Sequence, residues 1–178
     1  MDNPDYPLKI TYQTGFVTNP NYLLNSLASD VSWDDRLRSR KTASFGRPYN
    51  YSGMVYQAAP MHELLVPIVD RLKSLFGLSA NNCLANYYLT GDSTMGFHSD
   101  ANIDLWPGSS VAIVSLGSVR TIVFRPKRSK TEERRMELES GSLLLMAPEV
   151  QDNWKHAIPA SEWAGPRISL TFRRLSDD

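Results

Sequence analysis

From residue 82 onward the sequence breaks into short runs of β-forming residues separated by turn residues, and this rhythm constrains the fold more than any other feature. The runs fall at 83–90, 95–99, 111–117, 119–125, 135–139, 142–147, 155–158 and 167–174. Strands of this length at such regular spacing describe an all-β sandwich or barrel. Upstream the pattern is helical. Thr18-Asn19-Pro20 supplies a cap and a helix-compatible proline, and Tyr22, Leu23, Leu27 and Ala28 follow at helical spacing, which predicts a helix from about 20 to 29. Leu65, Ile68, Val69, Leu72, Leu75 and Phe76 predict a second helix that ends at Gly77, with Pro67 in its first turn. Between the helices, Ser39 to Gly53 is rich in Gly, Pro, Ser, Tyr and Arg and reads as loop or hairpin. Two helices followed by about eight strands predict an α+β, mainly β chain: a jelly roll with the N-terminal helices packed on one sheet, forming a single domain over residues 1–178.

Composition narrows the class of protein. With 42% hydrophobic and 21% charged residues, the chain can build an ordinary core and is not of the disordered type. No apolar run approaches ~18 residues, so no membrane span is expected. Cys83 is the only cysteine, which excludes an internal disulfide framework and a cysteine-rich zinc site. The polar, acidic start Met1-Asp2-Asn3-Pro4-Asp5 does not read as a secretory or transit signal, so a reducing cytoplasmic setting is expected, with access to nucleoid or nucleus open. The 19 basic and 19 acidic side chains cancel and give no global nucleic-acid signal. Local clusters remain: Arg36, Arg38, Arg40 and Lys41, and then Arg125, Lys127, Arg128, Lys130, Arg134 and Arg135, interrupted by Glu132 and Glu133. They read either as phosphate-neutralising patches or as solvated loops.

The sharpest chemical feature is His98-Ser99-Asp100. On a strand, residues i and i+2 share a face, so an imidazole and a carboxylate stand side by side. Of the two other histidines, His156 lies in a second strand-like segment, Trp154 to Pro159. Two His and one Asp match the facial triad of non-haem Fe(II) oxygenases, which leaves positions open for co-substrate and O₂. By itself, H-x-D is more often a hydrogen-bonded surface pair than a metal site. The segment Arg167 to Arg173 alternates strictly, with Ile168, Leu170 and Phe172 on one face and Arg167, Ser169, Thr171 and Arg173 on the other. The polar face belongs to solvent or to a polar cavity. In the second case its two arginines suit the two ends of a small dicarboxylate. Asn86 and Tyr88 share a strand face and offer an amide and a phenol to an acidic ligand, or are ordinary strand residues.

Taken in order, Asn86-x-Tyr88, His98-x-Asp100, His156 and Arg167-x5-Arg173 resemble the AlkB family of Fe(II)/2-oxoglutarate dioxygenases. Ile113 to Gly117 and Gly141 to Met146 add to the resemblance, which covers about Thr42 to Arg174. It implies a double-stranded β-helix with iron between its sheets. It also implies that His98, Asp100 and His156 bind Fe(II), and that Asn86, Tyr88, Arg167, Ser169 and Arg173 contact 2-oxoglutarate. Ser169 stands where many members carry Asn. The implied activity is oxidative removal of N-alkyl groups from DNA or RNA bases with O₂, yielding formaldehyde, succinate and CO₂. Residues 39–53 resemble the nucleotide-recognition lid of the repair members, with Tyr49 and Tyr51 either bordering a flipped base or packing the lid down. The acidic residue that often follows H-x-D is replaced here by Ala101, Asn102 and Ile103 before Asp104, which leaves Asn102 as the candidate for a base edge. The alternative keeps the same chemistry on a free nucleotide, a protein side chain or a small metabolite. The expected partner is nucleic acid, single-stranded or duplex, and the expected state is a monomer.

Overall fold

Period-two alternation governs the chain because most of its strands have one face toward a core between two sheets and the other toward helices or solvent. A computed structural model describes residues 7–51, 53–100 and 104–176, with Tyr51 described by its backbone alone. Its strands are β1 (Ile10–Gln13), β2 (Lys41–Gly46), β3 (Tyr49–Tyr51), β4 (Met54–Tyr56), β5 (Asn82–Tyr88), β6 (Met95–His98), β7 (Val111–Gly117), β8 (Arg120–Pro126), β9 (Arg134–Leu138), β10 (Leu143–Met146), β11 (Trp154–Ile158) and β12 (Arg167–Arg173). The helices are α1 (Pro20–Asp30), α2 (Val66–Phe76) and the short α3 (Pro148–Asn153).

The strands form a six-stranded sheet in the order β1-β10-β7-β12-β5-β2 and a four-stranded sheet in the order β6-β11-β8-β9. A β3–β4 hairpin stands apart from both. This is the expected jelly roll. β12 lies between β7 and β5, with Ser169 opposite Ser115 on one side and Asn86 on the other. Its apolar side chains Ile168, Leu170 and Phe172 are fully buried with Leu23 and Leu27 of α1 and Ile68 and Leu72 of α2. Each such burial contributes roughly 1.5–3 kcal/mol. The two helices thus cover the outer face of the large sheet, as the sequence predicts. Pro20 opens α1, although Asn19 makes no side-chain capping bond. Gly77 closes α2 in the left-handed conformation, donating its N–H to Leu72 and Lys73 carbonyls.

Four elements depart from the sequence reading. The first half of the 39–53 stretch is not a loop: β2 pairs with β5 as an edge strand of the large sheet. Its Ala43 and Phe45 pack toward the helices, while Thr42 bonds the Tyr56 hydroxyl. The remainder forms the β3–β4 hairpin, anchored where the Asn82 amide donates to Ser44 Oγ and to the carbonyls of Phe45 and Arg47. β1 and α3 are also unforeseen. Finally, β6 ends at His98, so Asp100 lies beyond the strand rather than within it.

Candidate active site

Strand register assembles the two imidazoles. His156 of β11 pairs directly with His98 of β6, and their ring centroids are 4.3 Å apart. The His98 Nδ1 lies 2.8 Å from the Gly96 carbonyl oxygen, which can only accept. The proton therefore sits on Nδ1, and Nε2 carries the lone pair that a metal requires. Asp100 reaches the same place from beyond the strand, and its side chain is fixed by Arg173, whose Nε donates to Oδ1 at 2.9 Å and whose Nη2 bonds the same oxygen. Among the described residues the second oxygen, Oδ2, is buried without a hydrogen-bond partner, 3.8 Å from His156 Nε2.

The electrostatics suit a cation. Burial pushes His156 down to about 3, aided by the neighbouring His98. Burial likewise lowers His98. For Asp100 burial works the other way, but the Arg173 cation and the two histidines override it and hold the carboxyl at about 2. At neutral pH the three groups are thus two neutral imidazoles and one carboxylate. The set has the chemistry of a facial triad: nitrogen lone pairs and an oxygen that no other described residue satisfies. Among the described residues, no three such side chains already surround one point as a closed shell, for the carboxylate is turned onto Arg173.

Arg167 marks the other part of the cavity. It is buried, and one nitrogen donates to Ser115 Oγ at 2.9 Å, while Nε and Nη1 have no hydrogen-bond partner among the described residues. Its guanidinium lies over the Tyr88 ring at 5.1 Å, and that of Arg120 lies 5.5 Å from the same ring. Burial lowers the Arg167 pKa. A desolvated guanidinium with two unsatisfied donors is a site made for a carboxylate.

Every described candidate for the metal and co-substrate lines this one cavity between the sheets: His98, Asp100 and His156, with Asn86, Tyr88, Arg167, Ser169 and Arg173. The polar face of β12 therefore looks into a cavity and not into solvent. The expected pair of arginines is not symmetric, however, because Arg173 is engaged by Asp100. Asn86 is engaged too, accepting from Arg40 Nε at 2.8 Å.

The substrate candidates fare differently. Tyr49 is 2% exposed with the Arg173 guanidinium 4.7 Å from its ring centroid, so it packs the hairpin onto the site and offers no open face for a base. The Tyr51 side chain and Asn102 lie outside the described residues. The basic clusters are largely spoken for. Arg36 pairs with Asp34, Arg125 and Arg135 share Glu133, and the Lys127 ammonium donates to the Gln151 carbonyl. Sequence reasoning missed Arg40, Ser115 and Gln151 as residues of this site. The Gln151 side chain accepts from the Asp100 N–H at 2.8 Å, and no local pattern marks it, since the two lie 51 positions apart.

Comparisons with known proteins agree with this geometry. Residues 13–173 match the profile of the 2OG-Fe(II) oxygenase superfamily. The mouse DNA oxidative demethylase ALKBH2 is 35% identical over 147 residues, covering 76% of this chain and 62% of that protein. The human alpha-ketoglutarate-dependent dioxygenase alkB homolog 3 is 29% identical over 192 residues, covering 96% of this chain and 67% of the relative. The chain spans 53–62% of the length of the ALKBH2 proteins it matches. The solved structure of OsALKBH1 superposes with a TM-score of 0.71 at 18% identity, covering 93% of this chain and 97% of that one, a likeness of fold.

Proposed function

Because this chain belongs to the 2OG-Fe(II) oxygenase superfamily, in its AlkB family, we propose that it removes alkyl groups oxidatively from nucleic-acid bases, with His98, Asp100 and His156 as the iron ligands. The superfamily works with Fe(II), 2-oxoglutarate and O₂, and these supply the oxidising power for C–H hydroxylation, with succinate and CO₂ as by-products. A hydroxylated N-methyl group then leaves as formaldehyde and restores the base.

The protein's own part is positioning. His98 and His156 present neutral nitrogens from paired strands, and Asp100 contributes Oδ2 while Arg173 holds Oδ1. Arg167 would hold a carboxylate of 2-oxoglutarate, satisfying the donors it otherwise buries unpaired, with Tyr88 beside it. Asn86 and Ser169 would border the co-substrate from facing positions on β5 and β12. The apolar walls of the same cavity, among them Ile113, Ile122 and Ile158, keep water away from the reaction. The observation that carries this reading is the cavity itself: two neutral imidazoles and a carboxylate oxygen share it with a buried guanidinium, and that oxygen and two guanidinium nitrogens find no partner among the described residues. The proposal extends to a monomer in the cytoplasm with access to nucleic acid. The nucleic-acid part of this reading is supported by the name of the mouse relative, a DNA oxidative demethylase.

The test is mass spectrometry of short oligonucleotides carrying 1-methyladenine or 3-methylcytosine, incubated with protein, Fe(II), 2-oxoglutarate and O₂, with succinate quantified in parallel. Loss of one methylene's mass, dependent on 2-oxoglutarate and absent in His98→Ala, supports the proposal. Succinate without loss of the methyl group favours the second reading, the same chemistry on a free nucleotide, protein side chain or small metabolite. That reading draws on the basic clusters, which the chain's own carboxylates and carbonyls largely occupy.

A further inference from the structure

The metal candidates are not held equally well by the fold. His98 and His156 face each other across a strand pair, so the ladder fixes both backbones. Asp100 lies two residues past the end of β6 and has no such support. Its carboxylate is steered by Arg173, but a side-chain bond alone does not set where the Cα stands.

Gln151 supplies what is missing. It sits in α3, is 3% exposed, and its Oε1 accepts the Asp100 main-chain N–H at 2.8 Å. The amide's orientation is determined by its neighbours: Nε2 points to the Met146 sulfur at 3.8 Å, a weak acceptor, and the reverse orientation would set two donors against each other at Asp100. The helix that carries Gln151 is fixed in turn. Lys127, just past β8, donates its Nζ to the Gln151 carbonyl at 2.7 Å and its N–H to the Asn153 carbonyl at 2.8 Å. α3 then runs directly into β11, so the residue gripping Asp100 is five positions before His156.

We infer that Gln151 is a positioning residue for the metal centre, acting through the backbone of Asp100 and tying that ligand to the strand that carries His156. The inference rests on the proposed metal site. Outer partners that orient metal ligands change affinity by about ten- to hundredfold when removed. Gln151 differs from the usual case in gripping the main chain of a ligand and not its side chain.

The test is an anaerobic calorimetric titration with Co(II) alone, in place of Fe(II), on wild type, Gln151→Met and Gln151→Glu, each paired with the melting temperature of the metal-free protein. Gln151→Met keeps the length and removes the acceptor; its Co(II) affinity should fall about ten- to hundredfold. Gln151→Glu keeps an acceptor of the same reach and should recover most of that loss. A role in packing alone predicts the opposite split, with a lowered metal-free melting temperature and Co(II) affinity within about twofold of wild type, and that result overturns the inference. Failure of wild type to bind Co(II) removes the metal site itself, and the inference with it. Should Gln151→Met not fold, amide hydrogen exchange on wild type decides: an Asp100 N–H exchanging at the rate of an open loop refutes the grip, and strong protection supports it.

Discussion

Arg167 shows how one residue can serve function against stability. A buried donor left without an acceptor costs about 1–3 kcal/mol, and Arg167 keeps two. Replacing it with Met removes both and retains much of the apolar stem. The metal-free Arg167→Met protein should therefore melt at or above the wild-type temperature. Its affinity for 2-oxoglutarate should drop about hundredfold, as expected when a charge-assisted carboxylate pair worth about 3 kcal/mol is lost. Thermal melts and co-substrate titration check the two signs together, and clear destabilisation with unchanged affinity contradicts the role. His156 makes a second residue-scale prediction. In the fold its pKa is pushed down to about 3 from an ordinary 6.5. Between those values the unfolded chain holds a proton that the folded chain lacks, so stability rises with pH across this window and is lost as pH falls below the upper value. Asp100, held at about 2 against 3.8, adds a loss of the same sign in its own more acidic window. Metal-free protein should lose up to about 1.4 kcal/mol per pH unit through His156 alone. Urea midpoints measured from neutral pH downward check this, and His156→Asn should flatten the dependence.

At the scale of elements, β2 and its exit turn decide where the hairpin beside the site can stand. Gly46 closes β2 at φ +85°, and a Cβ there would lie 2.1 Å from the Asn81 carbonyl oxygen. Gly15 has a similar φ of +64° but open space around it. Gly15→Ala should cost about 1–2 kcal/mol, the left-handed penalty alone. Gly46→Ala adds a backbone collision to that penalty and should cost at least about 3 kcal/mol, or displace the hairpin. Equilibrium unfolding of both variants checks the difference, and equal costs would mean that the hairpin yields freely. The same elements explain what the sequence made legible. The strands from residue 82 onward stood out because alternation is enforced wherever a helix layer or the inter-sheet core takes one face. β2 was hidden because it is an edge strand, and its Thr-Ala-Ser-Phe run lies in a stretch dense with turn formers. α3 has only six residues, too few for a helical period to register. The metal and co-substrate residues were readable because short strand spacings, i and i+2, join most of them. Gln151 and Arg40 were not, because their bonds to Asp100 and Asn86 join segments far apart in sequence.

For the whole molecule, charge is balanced in place as well as in total. The sequence reading left open whether the basic clusters bind phosphates, and the fold answers for several of them. Glu133 holds Arg125 at 2.7 Å and Arg135 at 2.8 Å, and Arg125 also covers the Phe97 ring at 3.8 Å. Arg38 and Lys130 remain exposed. Affinity for single-stranded nucleic acid falls with salt in proportion to the phosphates neutralised, with a log–log slope of about −0.7 for each. A chain that has already paired most of these cations should show a shallow slope, about −1 to −3. Glu133→Gln removes the acid that holds two guanidiniums. Exposed ion pairs contribute only about 0–1 kcal/mol, so the variant should fold normally. It should bind a short single-stranded oligonucleotide more tightly at low salt, with a slope steeper by about one unit. Fluorescence anisotropy titrations across a salt series measure this directly. An unchanged slope would place Arg125 and Arg135 away from the strand's path. A wild-type slope beyond about −5 would require about seven phosphates neutralised, and so the release of cations that the fold already pairs.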